Sequence, residues 1–109
     1  MEQIFLLVAA HFICDFVLQS EAMGLGKSRR RNLRAQRGPD FPPWYAWLAA
    51  HAFTHGVAVL LITDLWQIGA LESALHAGID HLKCERRISF SLDQGLHLAC
   101  KLLYLPLLA

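Results

Sequence analysis

The apolar residues of this chain gather into four stretches, about Gln3–Gln19, Pro43–Thr63, Ala70–Leu82 and Phe90 to the C-terminus. Each stretch carries a pair of ionisable residues one helical turn apart: His11 with Asp15, His51 with His55, His76 with Asp80, and Asp93 with His97. A spacing of i, i+4 puts both members of a pair on one face of a helix. The pattern therefore predicts an all-α protein of four helices, each with one polar stripe on an apolar rod. Gly24 and Gly26 end the first helix, and Pro39, Pro42 and Pro43 close the polar stretch that follows. That stretch, about residues 24–42, reads as a basic loop, with Pro43 as a first-turn residue of the second helix. Asp64 to Gly69 read as a short turn.

Length then changes the picture. A helix crosses a bilayer with about 20 residues, within a range of about 17–25, and stretches one, two and four fall in that range. The third is short, and is expected to tilt, extend through Trp66 or be re-entrant. Trp44, Tyr45 and Trp47 suit an interfacial aromatic belt. The opening run, Met1–Ala10, has no basic residues and an acidic Glu2, and continues through His11 and Asp15. It is expected to stay as a first helix and not to be cleaved as a signal peptide.

Composition agrees with a membrane. Of 109 residues, 55% are hydrophobic and only 17% charged, against about 25% charged in an ordinary soluble domain; mean hydropathy is +0.35. Nine of the ten basic residues lie in two segments, Lys27–Arg37 and Lys83–Arg87, with Lys101 elsewhere. The stretch between helices two and three carries Asp64 and Glu72 and no Lys or Arg. By the positive-inside rule both basic loops face the cytoplasm and both termini lie outside. The expected architecture is a four-helix transmembrane bundle forming a single domain over residues 1–109. Cys14, Cys84 and Cys100 are odd in number and lack CxxC spacing, so they give no disulfide framework.

The topology stacks the polar residues. His11, His55, His76 and His97 fall near mid-helix, and Asp15, His51, Asp80 and Asp93 lie one turn, about 6 Å, nearer the cytoplasm. A mid-membrane Asp costs about 2.5–3.5 kcal/mol, so three alone in lipid would cost about 8–10 kcal/mol. They must face inward and be paired, hydrated or metal-bound. Imidazole and carboxylate together are ligands for Zn, Mn or Fe. Eight such groups suit one or two divalent ions; two ions about 3.5–4 Å apart suit phosphoester hydrolysis. The expected ligands are His11, Asp15, His51, His55, His76, Asp80, Asp93 and His97, with Asp15 or Asp93 as general base. Gln19 and Gln94 are expected to support them, and Lys83 to contact a substrate phosphate or lipid headgroups. Arg29, Arg30, Arg31 and Arg34 are expected to meet anionic lipid headgroups; nucleic acid is not the expected partner.

Four motifs, HFICDFVLQ (His11–Gln19), HAFTHG (His51–Gly56), HAGIDHLK (His76–Lys83) and LDQGLH (Leu92–His97), resemble the signatures of domain of unknown function 3307. That family comprises small bacterial and phage-encoded membrane proteins, so the resemblance implies a multi-pass protein of the bacterial inner membrane. It is distantly similar to the YdjM-like group of membrane-bound metal-dependent hydrolases. The arginine-rich insert Lys27–Arg37 departs from the usual family loop. Three functions follow as expectations: a metal-dependent hydrolase acting on a phosphate-bearing substrate at the cytoplasmic leaflet; a metal or proton transporter, which would need a homo-oligomer; and a non-enzymatic membrane interaction module.

Overall fold

A computed structural model describes residues 2–108; Met1 and Ala109, the end residues of the expected domain, lie outside that range. The described chain is all-α, with no strand among the described residues. Helix α1 (Glu2–Phe12) runs into one π-helical turn over Ile13–Val17. Two short helices follow, α2 (Glu21–Gly26) and α3 (Leu33–Arg37), then three long ones, α4 (Trp44–Thr63), α5 (Trp66–Cys84) and α6 (Phe90–Tyr104). A 3₁₀ turn, Leu105–Leu108, ends the chain.

Several boundaries differ from the sequence reading, each for a local reason. The basic stretch is not a plain loop. Ser20 Oγ accepts the Met23 N–H at 3.1 Å and caps α2. Pro43 sits just before the first turn of α4, in extended backbone. The expected Asp64–Gly69 turn contracts to Asp64 and Leu65, because Asp64 adopts φ 58° and Thr63 Oγ1 accepts from Leu65 N. Glu72 therefore belongs to α5 and is buried, not part of an outer loop. Pro106 has no N–H, and its ring would clash with a helical Leu102 carbonyl; α6 accordingly stops at Tyr104.

Among the described helices only α4, with 20 residues, is both long and apolar enough to cross a membrane by itself. α1 holds 11 residues before its π turn, and α6 has 15. α5 is long at 19 residues, but Glu72, Asp80 and Lys83 lower its apolarity.

Packing is closest between α4 and α5. A Cβ on Gly69 would lie 2.8 Å from the Gly56 carbonyl, and one on Gly56 would collide with Ser73. Small residues there let the two backbones approach closely. α2 seats on α4 in the same way, since a Cβ on Gly26 would lie 2.6 Å from the Trp47 ring. A small apolar core, Leu7, Val59, Ile68, Cys100 and Tyr104, fills the end of the bundle near the α4–α5 turn. Elsewhere the usual distribution is inverted. Among the described residues, twelve polar or charged residues are buried against eight hydrophobic ones, while Phe5, Val17, Leu61 and Leu103 are each at least 70% exposed.

Candidate functional site

The polar interior is one cluster fed by all four principal helices. α1 contributes His11, and the π turn after it contributes Asp15. In that turn Leu18 N reaches back to Ile13 O at 2.9 Å, one residue further than in an α-helix. α4 contributes His51 and His55, α5 His76 and Asp80, and α6 Asp93, Gln94 and His97. Seven of the eight ligand candidates are buried, and the Asp15 side chain is 9% exposed.

Carboxylates organise the imidazoles. Asp15 Oδ1 lies 3.1 Å from His51 Nε2 and 3.0 Å from His55 Nε2. Its Oδ2 accepts from Gln94 Nε2 at 3.0 Å. Asp80 Oδ1 faces His97 Nε2 at 3.2 Å, and its Oδ2 lies 3.4 Å from both His51 and His76 Nε2. Asp93 Oδ2 accepts from Gln94 Nε2 at 3.0 Å, with its Oδ1 3.4 Å from His97 Nε2. The rings of His55, His76 and His97 stack in a row, with centroids 3.6 and 4.1 Å apart. His11 borders that row, 5.4 Å from His55 and 5.2 Å from His97.

Ligand-capable atoms fall into three overlapping groups, each within a 4.8 Å span: Asp15, His51, His55 and His76; His11, His76 and His97; Asp80, Asp93 and His97. His76 joins the first group to the second, and His97 joins the second to the third. Four buried atoms here have no hydrogen-bond partner among the described residues: His11 Nδ1, both nitrogens of His76, and Asp93 Oδ1. An unmet buried polar atom costs about 1–3 kcal/mol, and native folds keep few of them. A borderline cation engaged by nitrogen and carboxylate oxygen would satisfy this donor set.

The remaining expected residues divide. Gln94 sits at the centre: its amide donates to Asp15 and Asp93, and its Oε1 lies 3.0 Å from His11 Nε2. Gln19 stands at the rim, donating to the Asp15 carbonyl at 3.2 Å. Lys83 is exposed and outside the cluster, its ammonium 5.7 Å from the Phe90 ring centroid. Arg29 and Arg30, expected at lipid headgroups, both donate to Glu85, and Arg34 donates to the Pro39 carbonyl at 3.1 Å. The two guanidinium hydrogen bonds hold the Glu85 carboxyl below its ordinary pKa.

Four residues at the cluster escaped the sequence reading. Lys27 Nζ donates to Asp80 Oδ2 at 2.6 Å and to Gln19 Oε1 at 2.7 Å, closing the end beneath the basic segment. At the other end Glu72 accepts from Lys101 Nζ at 2.5 Å and from the Tyr104 hydroxyl at 2.6 Å, all three buried. Glu72 Oε1 lies 3.6 Å from His76 Nδ1. The signal for two of them was present: Glu72 stands four residues before His76, and Lys101 four after His97.

The family described as "Protein of unknown function (DUF3307)" matches residues 3–107, and the chain belongs to it. Neither a curated protein nor a solved structure matches the chain.

Proposed function

We propose that this family member is a membrane-embedded divalent-metal protein, a metal-dependent hydrolase acting on a phosphate-bearing substrate at the cytoplasmic leaflet. The observation that carries the reading is the inverted interior: imidazoles and carboxylates from four helices converge, with four buried atoms unpartnered. The exposed aromatic and aliphatic side chains support a lipid surrounding. α4 would cross by itself. The shorter α1, α5 and α6 would enter as a bundle, their polar stripes turned to one another and away from the acyl chains. Both basic segments would then lie on the cytoplasmic side, with both termini outside.

His11, His51, His55, His76 and His97, with Asp15, Asp80 and Asp93, would hold one or two ions of Zn, Mn or Fe. Such an ion supplies Lewis-acid polarisation and a nucleophile at neutral pH. The protein's own groups divide the remaining work. Asp15 has both oxygens engaged, which suits orienting two imidazoles. Asp93 Oδ1 accepts no hydrogen bond, which suits it to take a proton as general base. Gln94 holds these two carboxylates in register. Lys27, which reaches Asp80 from the basic segment, would donate to a phosphate oxygen. A distant resemblance of the family to the YdjM-like hydrolases would point the same way, as an analogy.

Elemental analysis of purified protein beside His76→Ala tests the reading. Wild type should carry Zn, Mn or Fe and release phosphate from a phosphomonoester, and the variant should lose both. A metal-free wild type that stays folded and hydrolyses the ester would overturn it.

One observation favours a second reading, metal or proton transport. The polar column continues past the stacked imidazoles, from His76 Nδ1 to Glu72, 3.6 Å away, and on to Lys101. Flux of Zn or protons into liposomes, abolished by His55→Ala, would select it over hydrolysis.

A further inference from the structure

A cavity of about 270 Å³ opens among the α2 helix, the turn after it and the C-terminal end of α5. Ser28, Arg30, Arg31, Lys83 and Arg86 line it, and no carboxylate does. Arg30 is paired with Glu85. Arg31, Lys83 and Arg86 have no carboxylate within ion-pair distance among the described residues. Three unneutralised cations thus share the wall of one small concavity.

Its position and construction tie it to the cluster. Ser28 follows Lys27, whose ammonium touches Asp80, and Lys83 lies three residues beyond Asp80 on α5. At about 1.5 Å per residue the cavity begins within one turn of the cluster. Arg86 takes φ 61° just past the end of α5. There Arg86 N bonds Lys83 O and Arg87 N bonds Leu82 O, both at 2.9 Å. Such an end is ordinarily made by glycine, because a side chain in this left-handed conformation crowds the following carbonyl. Arginine there costs stability and brings a guanidinium to the cavity.

We propose that this cavity binds a phosphate monoester dianion, with Arg31, Lys83 and Arg86 as its cationic wall. The volume lies below the roughly 300–1,000 Å³ of pockets for drug-sized ligands, so the bound group is small. Guanidinium forks and an ammonium match phosphate oxygens. The ester is either a soluble metabolite or a lipid headgroup, and the chemistry at the cavity is the same. The proposal deepens the hydrolase reading and rests on it for its purpose, but the binding it requires is measurable without metal.

The test is calorimetric titration of inorganic phosphate into the full chain, purified in detergent and stripped of metal. Wild type should bind, and Lys83→Gln/Arg86→Gln should bind at least about a hundredfold more weakly, since two charge-assisted hydrogen bonds are lost and each is worth about a factor of ten or more. Helical content and metal uptake should be unchanged. If the double variant loses its helical signal, Arg31→Gln replaces it, with about tenfold weakening expected. A second arm extracts protein from vesicles of phosphatidylcholine with or without phosphatidic acid and measures retained lipid by native mass spectrometry. Selective retention of phosphatidic acid, lost in the variant, identifies a headgroup; phosphate binding without retention identifies a soluble ester. No binding by wild type, or equal binding by wild type and variant, overturns the site. Phosphate binding by a chain that neither takes up metal nor hydrolyses an ester would keep this site and remove the hydrolase reading.

Discussion

Two buried polar regions adjoin on α5 and α6, and they are built on opposite principles. In the Glu72–Lys101–Tyr104 triad one carboxylate meets one ammonium and one hydroxyl, and both Glu72 oxygens are taken at 2.5 and 2.6 Å. One turn away, three carboxylates and five imidazoles share one ammonium, Lys27, and four buried atoms go without a hydrogen bond. Buried charge kept for structure is expected to form a closed, neutral set, because an unpaired buried charge is costly. On the proposed reading, the unpartnered imidazole nitrogens and carboxylate oxygen beside such a set would be met by a cation from outside. The triad shows how this chain satisfies a buried carboxylate with its own groups.

Splitting the triad should produce the largest effect. Lys101→Met leaves Glu72 buried and unpaired, and should lower stability by about 3–5 kcal/mol, read as thermal unfolding in detergent. Metal bound per folded chain should not change. Loss of metal in that variant would merge the two regions and break the comparison.

Cluster variants should behave in the opposite way. Metal at a hundredfold excess over its Kd should stabilise wild type by about 2.7 kcal/mol, and a chelator should remove that increment. His76→Ala deletes the residue common to two ligand groups. Its melting temperature should therefore ignore both metal and chelator. A chelator shift of wild-type size in His76→Ala would show that the imidazole row is packing and not ligation.

The difference between the regions also explains what the sequence could and could not reveal. The i, i+4 spacing of His11–Asp15, His76–Asp80 and Asp93–His97 was readable because a helix repeats every 3.6 residues, and the faces it implied do meet. The same spacing runs on to Glu72 and Lys101, but charge near a presumed loop or helix end reads as topology and hides its place in the helix. The π turn that carries Asp15 has no sequence mark; it depends on Leu18 N bonding Ile13 O, which tertiary packing selects. Lys27 is eight residues from Gln19 and 53 from Asp80, a reach set by α2 seating its Gly26 against Trp47. Hydropathy showed that the chain is apolar, but three charges on α5 leave only α4 with the length and apolarity to cross by itself.

A smaller effect sits at the centre of the cluster. Gln94 donates to two carboxylates and faces His11, so it would orient the proposed ligands without being one of the eight. Gln94→Leu keeps the volume and removes those bonds. Metal affinity should fall about 10–100-fold, the usual cost of losing such support, with the fold retained. Affinity unchanged in Gln94→Leu would mean that the carboxylates hold their places without it, and would sharpen the centre down to its His and Asp residues.

The smallest expected effect lies outside both regions, at the clasp that holds the basic segment over Lys27. Glu85 accepts from Arg29 Nε and, at 2.7 Å, from Arg30 Nε, while His81 Nε2 lies 3.5 Å away. The guanidinium bonds depress its pKa, so the folded chain binds this proton less readily than the unfolded one. The clasp's contribution is then fully present above the unfolded value of about 4.3 and disappears as pH falls through the lower folded value. Acid should therefore loosen residues 28–32 before it disturbs the triad. Hydrogen exchange of those amides should quicken on acidification beyond the intrinsic pH dependence, whereas Glu85→Gln should exchange fast already at neutral pH and show no further loosening. Protection that stays constant through this range in wild type would mean that α2 and its Gly26–Trp47 contact hold the segment without the ion pairs, making Lys27 a fixed part of the centre and not a cation on a releasable arm.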